Sequence, residues 1–144
     1  MIDVVVSGAT GRMGRTLGAR IRAAEGVRAV GGIAPDRPPE GAEAIGYPEI
    51  VDAEDAAGLI GRADAVIDFS APEQLSAILV HTGALEGRAL LVGTTGLPAE
   101  LHEAIDALAA QKAVLVASNF SVGVNVLLSL VERTAGTLPA GYDL

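Results

Sequence analysis

Three glycines near the amino terminus constrain the fold of this chain more than any other feature. Gly8, Gly11 and Gly14 stand in the turn Gly-Ala-Thr-Gly-Arg-Met-Gly, which follows the apolar run 2–6 and opens a segment with helical spacing. Glycines placed in this way let the backbone approach a pyrophosphate, whose charge faces the free N–H groups and the dipole of the helix. The spacing alone is a weak signal, because glycines at a tight turn can be purely structural. With a strand before it and a helix after it, the turn predicts a dinucleotide-binding site.

Short apolar runs recur along the chain and are separated by segments with helical periodicity. This alternation predicts β-α units, and parallel strands joined by helices form a mostly parallel sheet with helices on both faces. Half of the residues are hydrophobic and only 3% are aromatic, a composition that suits short buried strands. We therefore expect a Rossmann-type, doubly wound α/β fold with its ligands at the carboxyl ends of the strands. The five predicted strands are 2–6, 27–33, 65–69, 89–92 and 113–117.

The predicted helices differ in how much of their surface is apolar. Met13, Leu17 and Ile21 form one apolar stripe on the first helix. The third helix is predicted to begin with a capping box at 70–73, with a proline in its first turn. The segment 122–138 is apolar nearly all round, so it is predicted to be a helix that needs cover on more than one side.

Composition and charge argue against several classes of function. Ten Lys and Arg against 18 Asp and Glu give a net charge of −8, and without a basic cluster we expect no nucleic-acid or membrane partner. The chain has no cysteine, so disulfides, thiolate metal sites and a cysteine nucleophile are excluded. We expect no targeting segment at the amino terminus, and the first apolar run is too short to span a bilayer. These features predict a cytoplasmic protein, and 144 residues fit one domain.

The adenosine end of the predicted site is expected in the proline-rich segment 34–48, which is predicted to be a surface loop. Asp36 lies 22 residues after Gly14, where an acid normally binds the ribose hydroxyls. Arg37 and Arg12 could instead pair with the 2′-phosphate of NADP(H), because a guanidinium offers forked donors to phosphate oxygens. Both arginines could equally be solvated surface residues. An acid and a base side by side permit either NADH or NADPH.

Two further segments end predicted strands at the same edge of the sheet. The motif Gly-Thr-Thr-Gly at 93–96 offers hydroxyls and bare backbone to a ribose or a nicotinamide, although an ordinary turn would use the same residues. In the segment 117–121, Asn119 could orient a carboxamide and Phe120 could cover a ring face. The alternative makes Ser121 a helix cap and places Phe120 in the core.

Other polar residues carry no catalytic prediction. Asp68 closes the third predicted strand, where aspartates more often bond to backbone amides. His81 and His102 fall toward the polar sides of predicted helices and outside any ligand-like cluster, so we expect solvated surface residues and no metal site. The Tyr-x-x-x-Lys pair of short-chain dehydrogenases is absent, because Tyr47 is followed four residues later by Val51 and the other tyrosine lies two residues from the end.

Four motifs stand in a characteristic order and spacing. They are Gly-Ala-Thr-Gly-Arg-Met-Gly at 8–14, Ile-Asp-Phe-Ser at 67–70, Gly-Thr-Thr-Gly at 93–96 and Asn-Phe-Ser-Val-Gly-Val-Asn at 119–125. The last two are much more specific than the glycine turn, which unrelated Rossmann domains share. Together the four motifs resemble dihydrodipicolinate reductases, and the resemblance runs over essentially the whole chain.

The resemblance implies reduction of hydroxytetrahydrodipicolinate, a cyclic dicarboxylate, by hydride transfer from NADH or NADPH in bacterial lysine and diaminopimelate synthesis. The family's ribose-binding acid falls at the end of the second strand, so matching it to Asp36 requires a small shift. The cofactor contacts that the resemblance and the spacing indicate are Gly8, Ala9, Thr10, Gly11, Arg12, Met13, Asp36, Arg37, Gly93, Thr94, Thr95, Ala117, Ser118, Asn119 and Phe120.

The resemblance also implies a second domain. In the family a His-His pair, a Lys and an Asp-Ala-Pro-Ser-Gly-Thr run lie in a substrate-binding, tetramer-forming domain expected just past Leu144, so this chain carries no catalytic residue of that set. We divide the chain into a nucleotide-binding domain over 1–121 and a helix over 122–144 that leads toward the second domain. Alone, the chain is expected to bind cofactor with negligible turnover, and to self-associate or be marginally stable.

Two alternatives stay open on the sequence. Gly-Ala-Thr-Gly also opens redox-sensing proteins that bind NADP without catalysis, so the chain could be a non-enzymatic binding module. It could also be one subunit of a split enzyme, with the second domain supplied by a separate chain across the last helix.

Overall fold

The computed structural model describes residues 1–81 and 83–138, which form a six-stranded, all-parallel sheet with helices on both faces. The strand order is β3-β2-β1-β4-β5-β6. This Rossmann-like α/β architecture confirms the predicted fold class. The strands are β1 (Ile2–Ser7), β2 (Val27–Ile33), β3 (Ile50–Val51), β4 (Ala65–Asp68), β5 (Ala89–Val92) and β6 (Val114–Val116).

Within the described residues, four α-helices and one short 3₁₀ turn connect the strands, and a fifth α-helix follows the last strand. The 3₁₀ turn, Glu43–Ile45, lies inside the predicted surface loop. The helices are α1 (Arg12–Ala23), α2 (Ala57–Ile60), α3 (Pro72–Leu79), α4 (Ala99–Ala109) and α5 (Val122–Ala135).

Alternate residues of β1 belong to two separate buried cores, one on each face of the sheet. Val5 shares a core with Leu75 of α3, whereas Val6 shares the other core with Ile21 of α1. Since successive side chains of a strand point to opposite faces, both faces of this central strand must be covered by helices. Both valines are fully buried.

The sheet reverses its strand order between β1 and β4. From β1 the chain proceeds outward to β2 and β3 on one side, and then to β4, β5 and β6 on the other. Open parallel sheets bind ligands at such a switch point, outside the carboxyl ends of the strands. The strand ends lie in register in the row Ile33, Ser7, Asp68, Val92 and Val116. With neighbouring strands about 4.8 Å apart, this row is roughly 19 Å long.

Several local expectations need correction. The strand β3 was not predicted, because two residues are too few to show a period. The capping box at 70–73 is wrong: Ala71 is the N-cap of α3 and makes no side-chain cap, although Pro72 occupies the first turn as expected. Met13 is 47% exposed, so it does not belong to the buried stripe of α1. The helix α5 ends at Ala135, and residues 139–144 of the predicted 122–144 segment lie outside the described residues.

The apolar surface of α5 is exposed, as its composition predicted. None of its residues is buried, and six of its leucines and valines are at least half exposed, namely Val122, Val126, Leu127, Leu128, Leu130 and Val131. The neighbouring edge strand β6 exposes Leu115 and Val116. The sequence predicted a helix whose apolar surface must pack against further residues, and the described residues do not bury that surface. Self-association of the chain stays a prediction.

Tyr47 connects the irregular segment after β2 to the first turns of α1. Its side chain is only 1% exposed, and its hydroxyl donates a hydrogen bond to the carbonyl oxygen of Gly14. Its ring lies so close to Gly18 that a Cβ on Gly18 would stand 3.0 Å from the ring. The absence of a side chain at Gly18 therefore makes room for the tyrosine ring. Burial raises the pKa of the Tyr47 phenol above its ordinary value.

We expect Tyr47→Phe to lower the free energy of unfolding by about 1 kcal/mol at neutral pH, because the Gly14 carbonyl loses its donor. In wild type the folded-state pKa of Tyr47 is above the unfolded value of about 10, so its contribution is complete below about pH 10 and is lost as pH rises. Urea unfolding from neutral pH to about pH 11 checks both points. A Tyr47→Phe protein that loses stability with pH as steeply as wild type would contradict this account.

Candidate nucleotide-binding site

The glycine turn leaves β1 through a conformation that only glycine adopts readily. Gly8 has φ of +78°, and a Cβ on it would stand 2.3 Å from the carbonyl oxygen of Phe69. The N–H groups of Gly8 and Ala9 both donate to the carbonyl oxygen of Ile33, at 2.9 and 3.2 Å. The turn is therefore held against the ends of both β2 and β4.

The other two glycines set how closely α1 approaches the turn. A Cβ on Gly14 would stand 2.1 Å from the Gly8 carbonyl oxygen, so the first turn of the helix packs directly on the loop backbone. Gly11 is the N-cap residue, in extended conformation and without a side-chain cap. The first N–H groups of an α-helix, here beginning at Arg12, have no partner within the helix. Together with the helix dipole they form an anion-binding end at the switch point.

At the adenosine side, the predicted acid, Asp36, and the predicted base, Arg37, contact different parts of the chain. The hydroxyl of Thr10 donates to Asp36 Oδ1 at 2.7 Å, so the Asp36 carboxylate is held beside the glycine turn. Arg37 donates to the Ala34 carbonyl oxygen at 3.0 Å and forms an ion pair with Asp52 at 3.2 Å. The structure thus brings Asp36, but not the Arg37 guanidinium, into contact with the turn.

Two residues that the sequence analysis did not single out brace the turn. Gln74 of α3 donates to Ser7 Oγ at 2.8 Å and to the Ile33 carbonyl oxygen at 3.1 Å, and so joins the ends of β1 and β2. Arg15 Nε donates to the Thr10 carbonyl oxygen at 2.9 Å, and its guanidinium also pairs with Glu40. The position of Gln74 in the first turn of a helix at the switch point could have marked it as a site residue. Its hydrogen-bond partners could not be predicted, because they lie far away in sequence.

Asp68 organises the two strand-end segments beside it. It is fully buried and accepts hydrogen bonds from the Ser70 hydroxyl at 2.6 Å and the Thr94 hydroxyl at 2.5 Å. Thr94 Oγ1 in turn accepts from the Ser70 N–H at 2.9 Å. The expectation that Asp68 bonds to backbone amides was therefore wrong, because neighbouring hydroxyls reach it first. The Thr94 hydroxyl holds its loop in place.

Phe69 links the ends of β5 and β6. A Cβ on Gly93 would stand 2.2 Å from the Phe69 ring, so only glycine fits against this ring. Phe69 also contacts Phe120 edge to face, with ring centroids 5.5 Å apart and an interplanar angle of 65°. Phe120 is 40% exposed, so the alternative that buries it in the core is wrong. Its ring stands at the rim of the predicted nicotinamide end.

Asn119 carries a buried amide nitrogen without a partner among the described residues. Its Oδ1 accepts from the Ser121 N–H at 3.0 Å, which fixes the side chain while Nδ2 stays unpaired. An unpaired buried donor is costly, so such a group indicates a ligand acceptor or a water. Ser121 caps α5 by accepting from Val124 N–H at 3.4 Å, as the alternative reading of this residue expected.

The two histidines differ from each other. His102 is exposed, as expected. His81 is not a solvated surface residue: it is partly buried, and its Nε2 lies 2.7 Å from the Ala53 carbonyl oxygen. The reason is that α3 ends at Leu79, so helical spacing does not apply to His81. Within residues 1–81 and 83–138, no group of acids and histidines could hold a metal ion.

We expect Gly8→Ala to destabilise the fold far more than Gly87→Ala. Both glycines have φ near +70°, but a Cβ on Gly87 meets no atom within 4 Å, whereas one on Gly8 collides with the Phe69 backbone. The control should lose about 1 kcal/mol from its conformation alone, and Gly8→Ala a further 1–3 kcal/mol, approximately the cost of overpacking. Denaturant unfolding measures both; equal losses would show that the Phe69 contact is not limiting.

The fold and this edge define a class of protein: a Rossmann-like α/β domain of the kind found in dehydrogenases, with a glycine turn and a helix N-terminus at its switch point. A family model described as dihydrodipicolinate reductase, N-terminus, matches residues 2–120. The chain therefore belongs to the dihydrodipicolinate reductase family.

Similar proteins agree with this membership. The 4-hydroxy-tetrahydrodipicolinate reductase of Anaeromyxobacter sp. (strain Fw109-5) is 40% identical over 148 residues, covering 100% of this chain and 55% of its own. That of Xanthomonas euvesicatoria pv. vesicatoria (strain 85-10) is 41% identical over 145 residues, covering 99% and 58%. The chain thus spans little more than half the length of these relatives.

Solved structures show the same fold. A dipicolinate-bound dihydrodipicolinate reductase from Paenisporosarcina sp. TG-14 has a TM-score of 0.71 at 22% identity, over 96% of this chain and 55% of that one. A scyllo-inositol dehydrogenase from Lactobacillus casei, with bound NAD(H) and scyllo-inositol, has a TM-score of 0.66 at 18% identity, over 94% and 42%. In the described part of this chain, no helix is long and apolar enough to cross a membrane.

Proposed function

We propose that this chain is the NAD(P)H-binding part of a 4-hydroxy-tetrahydrodipicolinate reductase. The observation that carries the proposal is the glycine cradle at the switch point, in a chain whose residues 2–120 match the amino-terminal part of that family. The whole enzyme would reduce a cyclic dicarboxylate in bacterial lysine and diaminopimelate synthesis. The family membership favours this reading over a non-enzymatic redox-sensing module.

The residues present fit a dinucleotide along the row of strand ends. Glycine at positions 8 and 14 lets the end of β4 and the first turn of α1 pack directly on the loop, because a Cβ at either position would collide with neighbouring backbone. We propose that a pyrophosphate lies against the loop that this packing forms. The helix end supplies N–H donors to that group. Beside the turn, the Asp36 carboxylate accepts hydrogen bonds from ribose hydroxyls.

The nicotinamide would lie at the other end of the row, near β5 and β6. There Asn119 Nδ2 is a buried donor without a partner among the described residues, suited to the oxygen of a carboxamide. Phe120, which is 40% exposed and contacts Phe69 edge to face, would cover one face of the nicotinamide ring. Asp68, through Thr94 and Ser70, holds the two strand-end loops at a fixed distance from each other.

When bound, the nicotinamide supplies the hydride. The side chains of this edge bind and orient, and we assign none of them a proton-transfer role. We therefore propose that the substrate contacts and the proton donor of the reaction come from the part of the enzyme that corresponds to the remaining length of the relatives.

We expect the chain to bind NADH or NADPH in the micromolar range, and Gly11→Asp to weaken binding by at least about 30-fold, because like charges brought together cost several kcal/mol. Gly11 has φ of −70° and ψ of 169°, and aspartate is a favourable N-cap in this conformation, so the variant should fold. Calorimetry is the measurement, since the chain has no tryptophan.

The matched control is Gly58→Asp, which adds the same charge where a Cβ meets no atom within 4 Å. It should bind like wild type. Absence of binding of both nucleotides to the wild-type chain would refute the cofactor site, and an equal loss in the two variants would make the effect one of net charge.

The 144-residue chain should not oxidise reduced cofactor in the presence of hydroxytetrahydrodipicolinate faster than without it. The physical reason is that this part of the enzyme only orients the cofactor, whereas hydride transfer also needs residues that bind the substrate and a group that donates a proton. Loss of nicotinamide absorbance is the readout, with the Xanthomonas reductase as the positive control. Substrate-dependent turnover by the chain alone would contradict this division of labour.

A further inference from the structure

We propose that Asp52 sets the cofactor preference of this site toward NADH, by holding Arg37 against the end of β2 and away from a 2′-phosphate. The assignment rests on the proposed function, since it concerns the adenosine end of the same site. It gives a role to a residue that is not part of the glycine turn, the ribose-binding acid or the nicotinamide end.

Arg37 is held at two places. Its Nη1 donates to the Ala34 carbonyl oxygen at 3.0 Å, and Nη1 and Nη2 face Oδ1 and Oδ2 of Asp52 at 3.4 and 3.2 Å. This is the forked arrangement that a guanidinium also makes with a phosphate. While Asp52 occupies the fork, the same donors are not available to a 2′-phosphate.

The backbone fixes where Asp52 stands. The Ala34 N–H donates to the Val51 carbonyl oxygen at 3.0 Å, which joins the end of β2 to the end of β3. Asp52 directly follows β3, so the residue after this strand necessarily lies beside the residues after β2. The two-residue strand that the sequence did not reveal is therefore what places this carboxylate next to Arg37.

The charges around this point favour a neutral ribose over a phosphorylated one. Asp36, held by Thr10, and Asp52 supply two carboxylates, against the one guanidinium of Arg37. Carboxylates accept hydrogen bonds from the 2′- and 3′-hydroxyls but repel a phosphate dianion. With Arg37 neutralised by Asp52, this guanidinium no longer offsets the Asp36 carboxylate, so the pair opposes NADPH and leaves NADH unaffected.

The size of the effect follows from exposure. The side chains of Arg37 and Asp52 are 50% and 41% exposed, and an exposed ion pair typically changes an equilibrium by a factor of up to about five. Asp52 therefore shifts the ratio of the NADH and NADPH affinities, but it does not exclude NADPH.

Parallel titrations of NADH and NADPH test the assignment on four forms of the chain: wild type, Asp52→Asn, Asp55→Asn and the double variant Arg37→Met/Asp52→Asn. Asp55 is exposed on the same connection, so its substitution removes the same charge three residues away. Wild type should bind NADH more tightly than NADPH. Asp52→Asn should tighten NADPH binding roughly fivefold and change NADH binding less than about twofold.

The Asp55→Asn control and the double variant show whether the gain in NADPH affinity comes from the released Arg37 guanidinium or from the change in net charge. Asp55→Asn should leave the ratio of the two affinities as in wild type, and the double variant should lose the NADPH gain because the freed guanidinium is gone. Three results would overturn the assignment: a wild-type preference for NADPH, an unchanged ratio of the two affinities in Asp52→Asn, or equal gains in NADPH affinity in Asp52→Asn and Asp55→Asn. In each of these cases, binding of NADH would still support the cofactor site. Failure of both nucleotides to bind wild type would overturn both proposals together.

Discussion

The site depends on hydrogen bonds that converge on one backbone oxygen. The Ile33 carbonyl at the end of β2 accepts from the N–H groups of Gly8 and Ala9 and from the side chain of Gln74. These three donors come from the glycine turn and from α3, so one acceptor fixes the turn relative to both β2 and the helix after β4. The anion-binding end of α1 then takes its position from Gly14, which packs on the same turn.

The β4–β6 end of the row of strand ends is ordered by a different chemistry. There the buried Asp68 carboxylate and the Phe69 ring connect three strand ends through hydroxyls and aromatic contact. The β2–β3 end of the row is held by the hydrogen bond from Thr10 to Asp36 and by the exposed ion pair of Arg37 with Asp52, which salt screens. Under the proposed function, the first of these ends orients the nicotinamide and the second distinguishes between cofactors.

Features that depend on neighbours in sequence were predictable, and features that depend on distant residues were not. The glycine turn, the strand ends and the apolar α5 follow from local spacing, and the family membership follows from four short motifs. The pairing of Asp52 with Arg37, the hydroxyl partners of Asp68 and the bridge made by Gln74 join residues on different strands and helices. No local pattern indicates that Asp52 lies beside Arg37 until β3 is known, and β3 is too short to leave a period.

The strand order divides the site between one local strand pairing and one long-range strand pairing. Ile2 of β1 pairs with Val27 across a single helix, whereas Val4 pairs with Ala65, on a strand that the chain reaches only after β2, β3 and α2. Contacts between distant segments carry a larger loop-closure entropy and form more slowly. The glycine turn belongs to the local β1-α1-β2 unit, whereas Phe69 and Asp68 lie at the end of β4 and come beside the turn through the long-range pairing of β1 with β4. Under the proposed function, a nucleotide that spans the row of strand ends requires this long-range pairing and would stabilise it on binding.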